Sequence, residues 1–262
     1  MPLNVIDHPA APRCGGHQWF VKDLEALARL TALVMVGRAR QVGDIINGAE
    51  LGPIVASEAL KARLRRDLVL DARADAWHRD GLLFETICWI VARMRAGPAE
   101  VLSDPHRRAT QQGADAVKVA FDSVQRTLVD VTIYEQKCSD NARSKFRDEV
   151  LPAFKDWIAG VRDDELTQVA IGLLDRFGLT DVESRRAIGR IVLERPLAFR
   201  AAMTVSPQNY SAVECVRLFD GYETLGLAMA SRSGDTFPLE NIRGWFAMFG
   251  AMVWANIERF DV

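Results

Sequence analysis

Thr127–Cys138 reads TLVDVTIYEQKC, and its alternation decides the fold class. β-Branched residues dominate it, as expected of a strand with a buried face. Successive strand side chains point to opposite faces. Val129, Val131 and Ile133 therefore share one face, which Glu135 and Lys137 continue. An apolar face thus ends in a carboxylate and an ammonium. Charge on the buried side of a sheet is costly unless it is paired or holds a metal. Asp130 falls on the opposite face and reads as exposed or paired.

Ala114–Phe121 behaves similarly, with Val117, Val119 and Phe121 on the face of Asp115. Asp122-Ser123 lies between the two strands, so they form a hairpin with a short loop. Ala99–Ser103 reads as a short strand followed by an Asp104-Pro105 turn. Before it, a helix from about Asp75 to Arg95 is apolar nearly all round between Leu82 and Val91, as a buried helix is. Glu85 is the one acid in that run, and Gly97-Pro98 ends the helix. Downstream, helices are expected at about Asn141–Ala159, Asp163–Phe177 and 181–194, where Pro196 stops the last. Leu197–Val205 reads as one more strand, followed by helices near 210–220 and from Leu239 to about Phe260.

Residues 1–16 read as an irregular arm. Leucines recur at three- and four-residue steps within Trp19–Arg40, predicting a helix that Asn47-Gly48 terminates. A second helix is expected at 54–68, basic towards its end. The expected fold is α/β: a small central mixed sheet flanked by helices. Residues 1–70 form a helical N-terminal region, and 71–262 carry the sheet and C-terminal helices.

Hydrophobic residues make up 49% of the 262-residue chain and charged residues 26%, as in ordinary globular proteins. A net charge of -2 argues against a general DNA-coating protein, so any basic surface is local. Four scattered cysteines without a CxxC pair fit a reducing compartment. Cys14 and His17 come nearest to a zinc pattern, but no second pair has ligand spacing. No signal-peptide pattern or bilayer-length apolar run is visible, so a cytoplasmic protein without membrane attachment is expected.

An Asp and a Glu on adjacent strands can hold Mg²⁺ or Mn²⁺ through hard oxygen ligands. Lys137 beside them can stabilise developing charge or orient attacking water. Glu85 is the candidate fourth member. Each has a plainer reading: an ion pair at a strand end for Glu135 and Lys137, a turn residue for Asp115, and for Glu85 an acid that reaches solvent or bonds a backbone amide. Arg143, Lys145 and Arg147 open the following helix and are candidate phosphate contacts. Their neighbours Asp140, Asp148 and Glu149 equally suit a mixed-charge face. His78 and His106 look isolated, and His106 with Arg107 and Arg108 could reach a phosphate but reads better as a solvated loop. Trp89, Trp157 and Trp254 fall at core positions.

Helical Glu85, then GADAVKVAF with Asp115, then LVDVTIYEQKC with Glu135-Gln136-Lys137, resembles the PD-(D/E)xK, or restriction-endonuclease-like, superfamily over residues 75–160. Ala114 stands where the motif name has proline. The resemblance implies an αβββαβ core, divalent-metal dependence, and DNA cleavage by water activated at the metal. The catalytic and metal residues would be Asp115, Glu135 and Glu85, with Lys137 catalytic. The form is similar to nuclease components of bacterial anti-phage systems such as the Hachiman nuclease subunit. That implies a helicase or ATPase partner, or homodimerisation. Two alternatives remain at this stage: an inactive nuclease-fold subunit for DNA binding or assembly, and a helical interaction module.

Overall fold

The computed structural model describes residues 1–7, 10, 12–46, 52–70, 76–106, 113–207 and 211–261. The chain begins with β1 (Leu3–Asp7) and β2 (His17–Val21). Then come α1 (Leu24–Leu33), α2 (Ala39–Ile46), α3 (Glu58–Leu68) and α4 (Ala76–Arg95). Strands β3 (Glu100–Leu102), β4 (Ala116–Phe121) and β5 (Leu128–Lys137) follow. Next are α5 (Ala142–Lys145), α6 (Leu151–Ile158), α7 (Asp163–Phe177), α8 (Asp181–Leu193) and β6 (Leu197–Val205). The chain ends with α9 (Ala212–Leu218), β7 (Arg232–Pro238) and α10 (Ile242–Glu258). It is a mixed α/β protein.

The seven strands form one mixed sheet in the order β1-β2-β7-β6-β5-β4-β3. Strands β3, β4 and β5 are antiparallel neighbours, whereas β5, β6 and β7 run parallel through helical crossovers. Both faces are covered. Val131 and Ile133 of β5 pack with Phe199, Ala201 and Met203 of β6 against α6, α7 and α8. On the other face Tyr134, Ala202 and Phe237 join a core built with α1, α3, α4 and α10. Double burial makes β6 apolar almost throughout. Helices on either side of residue 70 share the second core, where Leu27 and Leu64 cluster with Phe84 and Phe249.

Three expectations change. Residues 1–16 contain β1, an edge strand whose inward pattern is too short to stand out. Trp19 lies in β2, 1% exposed, and the helix begins after the Asp23 N-cap. The run Trp19-Phe20-Val21 leads straight into the leucine periodicity, which hides the junction. Gly37, at φ +86°, marks the kink between α1 and α2. Strand β7 (RSGDTFP) was not foreseen because Gly, Asp and Pro are poor strand formers. Pairing with β6 on one side and β2 on the other sustains it.

Val129 is 49% exposed, off the face assigned to it. Pairing runs Ala120↔Asp130 but Phe121↔Leu128, so Val129 is the extra residue of a bulge. Leu128 takes its place in the core. The Asn47-Gly48 break and the Asp75 helix start lie outside the described residues.

Phe237 is 1% exposed and stacks on Phe84, with ring centroids 6.2 Å apart. Phe237→Ala is predicted to cost about 3–5 kcal/mol in urea unfolding. A loss below about 1 kcal/mol would contradict the placement of β7 in this core.

Candidate functional site

Because β4 and β5 are antiparallel, Asp115 at the start of β4 lies beside the end of β5. Its Oδ2 accepts a hydrogen bond from the Gln136 backbone N–H. Glu135 is 5% exposed, with its Oε2 3.6 Å from Lys137 Nζ. Its other oxygen is 3.9 Å from Arg162 Nη1. The two halves of the sequence motif therefore meet at one sheet end.

The rotation of α4 is set one turn beyond Glu85. Trp89 Nε1 donates to the Ser103 carbonyl at 2.7 Å, and Ser103 in turn pairs with Val117 of β4. Residues four apart share a helix face, so Glu85 faces the same sheet end. Glu85 Oε1 accepts from the His106 backbone N–H at 3.3 Å and lies 3.0 Å from His106 Nδ1. Ligand atoms of Glu85, His106 and Asp115 all lie within 4.8 Å of one another. His106 is thus packed against Glu85 in the candidate cluster rather than part of a solvated loop. Antiparallel pairing of β3 and Ser103 with β4 carries the residues that follow to the start of β4. Arg107 and Arg108 lie outside the described residues.

A further pair steadies the strand start. Glu165, in the first turn of α7, accepts from the Ala114 N–H at 2.9 Å. Arg162 holds Glu165 at 2.7 Å and stacks on the Trp157 ring, 4.1 Å from its centroid. Nothing in the local sequence announced this support for Asp115.

The electrostatics show a shortage of positive charge. Burial pushes the Asp115 carboxyl well above its ordinary range, and the charges of Glu135 and Glu85 push it further. Burial also raises Glu135, against the opposing pull of Lys137 and Arg162. Burial disfavours the cationic form of His106, but its hydrogen bond to Glu85 and nearby carboxylates outweigh this and raise it. Lys137 is likewise raised by Asp115 and Glu135 despite burial. Two cations and one imidazole do not offset the clustered carboxylates.

A divalent cation fits this donor set. Carboxylate oxygens supply hard ligands, and His106 can keep Nε2 for an ion while Nδ1 donates to Glu85.

The predicted phosphate contacts are paired within the chain, and Glu149, the partner of Lys145, is near enough to Lys137 to act on its charge. Arg143 donates to the Leu218 and Asp220 carbonyls at 3.1 and 2.7 Å. Lys145 pairs with Glu149, and Arg147 with Asp148. Each is engaged with its own chain. A different basic feature lies along α4, on the Glu85–Trp89–Arg93 face, where Arg93 is about 12 Å from Glu85 by helical rise. There a cavity of about 190 Å³ is lined by Arg40, Arg93 and Arg176 at the free edge of β3. Asp104, two residues before His106, is 3.2 Å from Arg176 and 3.9 Å from Arg40.

No protein-family model, curated protein or solved structure matches the chain. No helix among the described residues is long and apolar enough to cross a membrane.

Raised carboxyl pKa values have a definite sign. The metal-free folded chain binds protons more tightly than the unfolded chain. Charged Asp115 and Glu135 therefore cost stability at neutral pH. That cost fades as pH falls through their raised folded values towards the ordinary 3.8 and 4.5. Asp115→Asn is expected to raise the metal-free melting temperature at pH 8 by about 2–4 °C, the effect of roughly 1 kcal/mol in a chain of this size. The gain should shrink as pH falls towards 4, and saturating Mn²⁺ should stabilise wild type but not the variant. Equal metal stabilisation of both proteins in thermal melts would contradict the site.

Proposed function

We propose that the chain is a metal-dependent nuclease that hydrolyses phosphodiester bonds in DNA, with a restriction-endonuclease-like core. The observation carrying this reading is the meeting of Asp115, Glu135, Lys137 and Glu85 in one electrostatically coupled cluster. The succession α4-β3-β4-β5-helices-β6 supports it, since the αβββαβ core has that order. The resemblance to anti-phage nuclease components extends the proposal to a defence role with a helicase or ATPase partner, or to a homodimer.

Asp115, Glu85 and His106 would hold the ion, and Glu135 can join them from the next strand position. When bound, a divalent ion supplies positive charge to the scissile phosphoryl group and acidifies water. Lys137 would hold its ammonium against the phosphoryl oxygens or the attacking water, with Glu135 beside it as its ion-pair partner. Arg162 and Glu165 hold Glu135 and the Asp115 strand start in register. The cavity at Arg40, Arg93 and Arg176 would take backbone phosphates of the strand leading to the site.

Plasmid DNA with Mg²⁺ or Mn²⁺ tests the reading. Wild type should nick or linearise it, whereas Glu135→Ala and Lys137→Ala should each lose about a hundredfold or more. Undiminished cleavage by both variants would overturn the assignment. Should wild type require its partner to cut, Mn²⁺ binding by calorimetry still decides whether the acidic cluster holds metal.

Arg93 forms no ion pair among the described residues, so Arg93→Ala should leave the fold intact. It should weaken DNA binding across sequences and reduce the salt slope by about 1 in a filter-binding series. An unchanged affinity and slope would remove this cavity from the DNA path.

A further inference from the structure

The opposite face of the sheet carries a second polar feature. Along β4, β5 and β6, Lys118, Thr132, Tyr134 and Arg200 point away from the face of Asp115 and Glu135. With the last turn of α4 and the residues entering β7, they enclose a cavity of about 360 Å³. That lies within the range of small-molecule sites. Polar side chains from several elements converge on it.

Its most buried cation is Arg200, 9% exposed. Asp235, fully buried behind it, pairs with the guanidinium. Asp235 also accepts from the His17 backbone N–H at 3.0 Å and lies 3.1 Å from its Nδ1. The rings of Tyr134 and Trp19 flank Arg200, with centroids 5.7 and 5.8 Å from its Cζ. This charge is rigidly held at a cavity wall. A buried ion pair is weak evidence for stability alone, and one that lines a cavity is preorganised for a ligand.

Two further cations face the same space. Lys118 is paired with Glu100, the lining acid. Arg95 has no ion-pair partner among the described residues. Partial burial and the neighbouring Arg200 charge push its guanidinium below the ordinary value, against the opposing pull of Asp235 and Asp7. Three cationic side chains stand against Glu100 in the lining, and Ser231 and Ser233 add hydroxyls.

We infer that this cavity is a binding site for a phosphoryl-bearing small molecule of about mononucleotide size. Its phosphoryl group would lie between Arg95 and Arg200, within reach of Lys118 and the serine hydroxyls. Guanidinium forks match phosphoryl oxygens in geometry and charge. A dianion can pair with Arg95 at the cavity wall, whereas a neutral ligand leaves it without an ion-pair partner. The site lies on the other face of β5 from Glu135 and does not depend on the nuclease reading.

Titration calorimetry with inorganic phosphate, a nucleoside monophosphate and a 5′-phosphorylated trinucleotide tests this directly. Wild-type protein should bind at least one of them. Arg95→Ala should weaken that binding at least tenfold while keeping the ligand-free melting temperature. Glu135→Ala should bind like wild type. Monophosphate binding tighter than phosphate would mark a free metabolite as the occupant, and trinucleotide binding alone would mark a strand end. Both results support the phosphoryl site. No binding of any probe at millimolar concentration, or equal binding by wild type and Arg95→Ala, would overturn it. Lys118→Met supplies an independent variant, with a several-fold loss expected.

Discussion

Three carboxylates meet at one end of the sheet, and their desolvation is the constraint on which the surrounding structure depends. Asp115, Glu135 and Glu85 come from β4, β5 and α4, and their mutual repulsion is only partly offset by Lys137 and Arg162. Such a cluster persists only if the rest of the fold holds it in place. The Ser103 bonds tie α4 to β4, and the Arg162–Glu165 pair fastens the start of β4 to α7. These contacts give the site its preorganisation, because the strands cannot move apart to relieve the charge.

Burial of the sheet on both faces supplies the stability that offsets this strain. The aromatic group around Trp19, Phe84, Phe237 and Phe246 fills one side, and Phe146, Phe154, Phe199 and Tyr222 fill the other. Two polar centres occupy opposite faces. The acidic one at the β4–β5 end is only partly offset by Lys137 and Arg162, and the arginine-lined cavity under β6 contains an arginine without an ion-pair partner among the described residues.

Much of the fold was legible because the relevant segments were long and strongly periodic. Strand β6 matches its expected span, Leu197–Val205, and α7 matches Asp163–Phe177. The face shared by Val131, Ile133, Glu135 and Lys137 followed from strand alternation alone. The bulge at Val129 did not, because it arises from cross-strand pairing. Strand β1 is too short for its pattern to stand out and β2 runs straight into the leucine periodicity, whereas the strand character of β7 comes from neighbours distant in sequence. His106 was missed for a related reason: only the folded hairpin brings it to Glu85. The mixed charges near Arg143 left two readings open, and the contacts of Arg143, Lys145 and Arg147 are with their own chain.

The most direct measurement of the central claim is a crystal soaked with Mn²⁺ and recorded at a wavelength with strong manganese anomalous scattering. An anomalous peak is expected within ligand distance, about 2.0–2.4 Å, of Asp115 together with Glu85, His106 or Glu135. Absence of a peak there at saturating Mn²⁺, or a peak bound only elsewhere, would contradict the reading of the buried carboxylates as a metal centre.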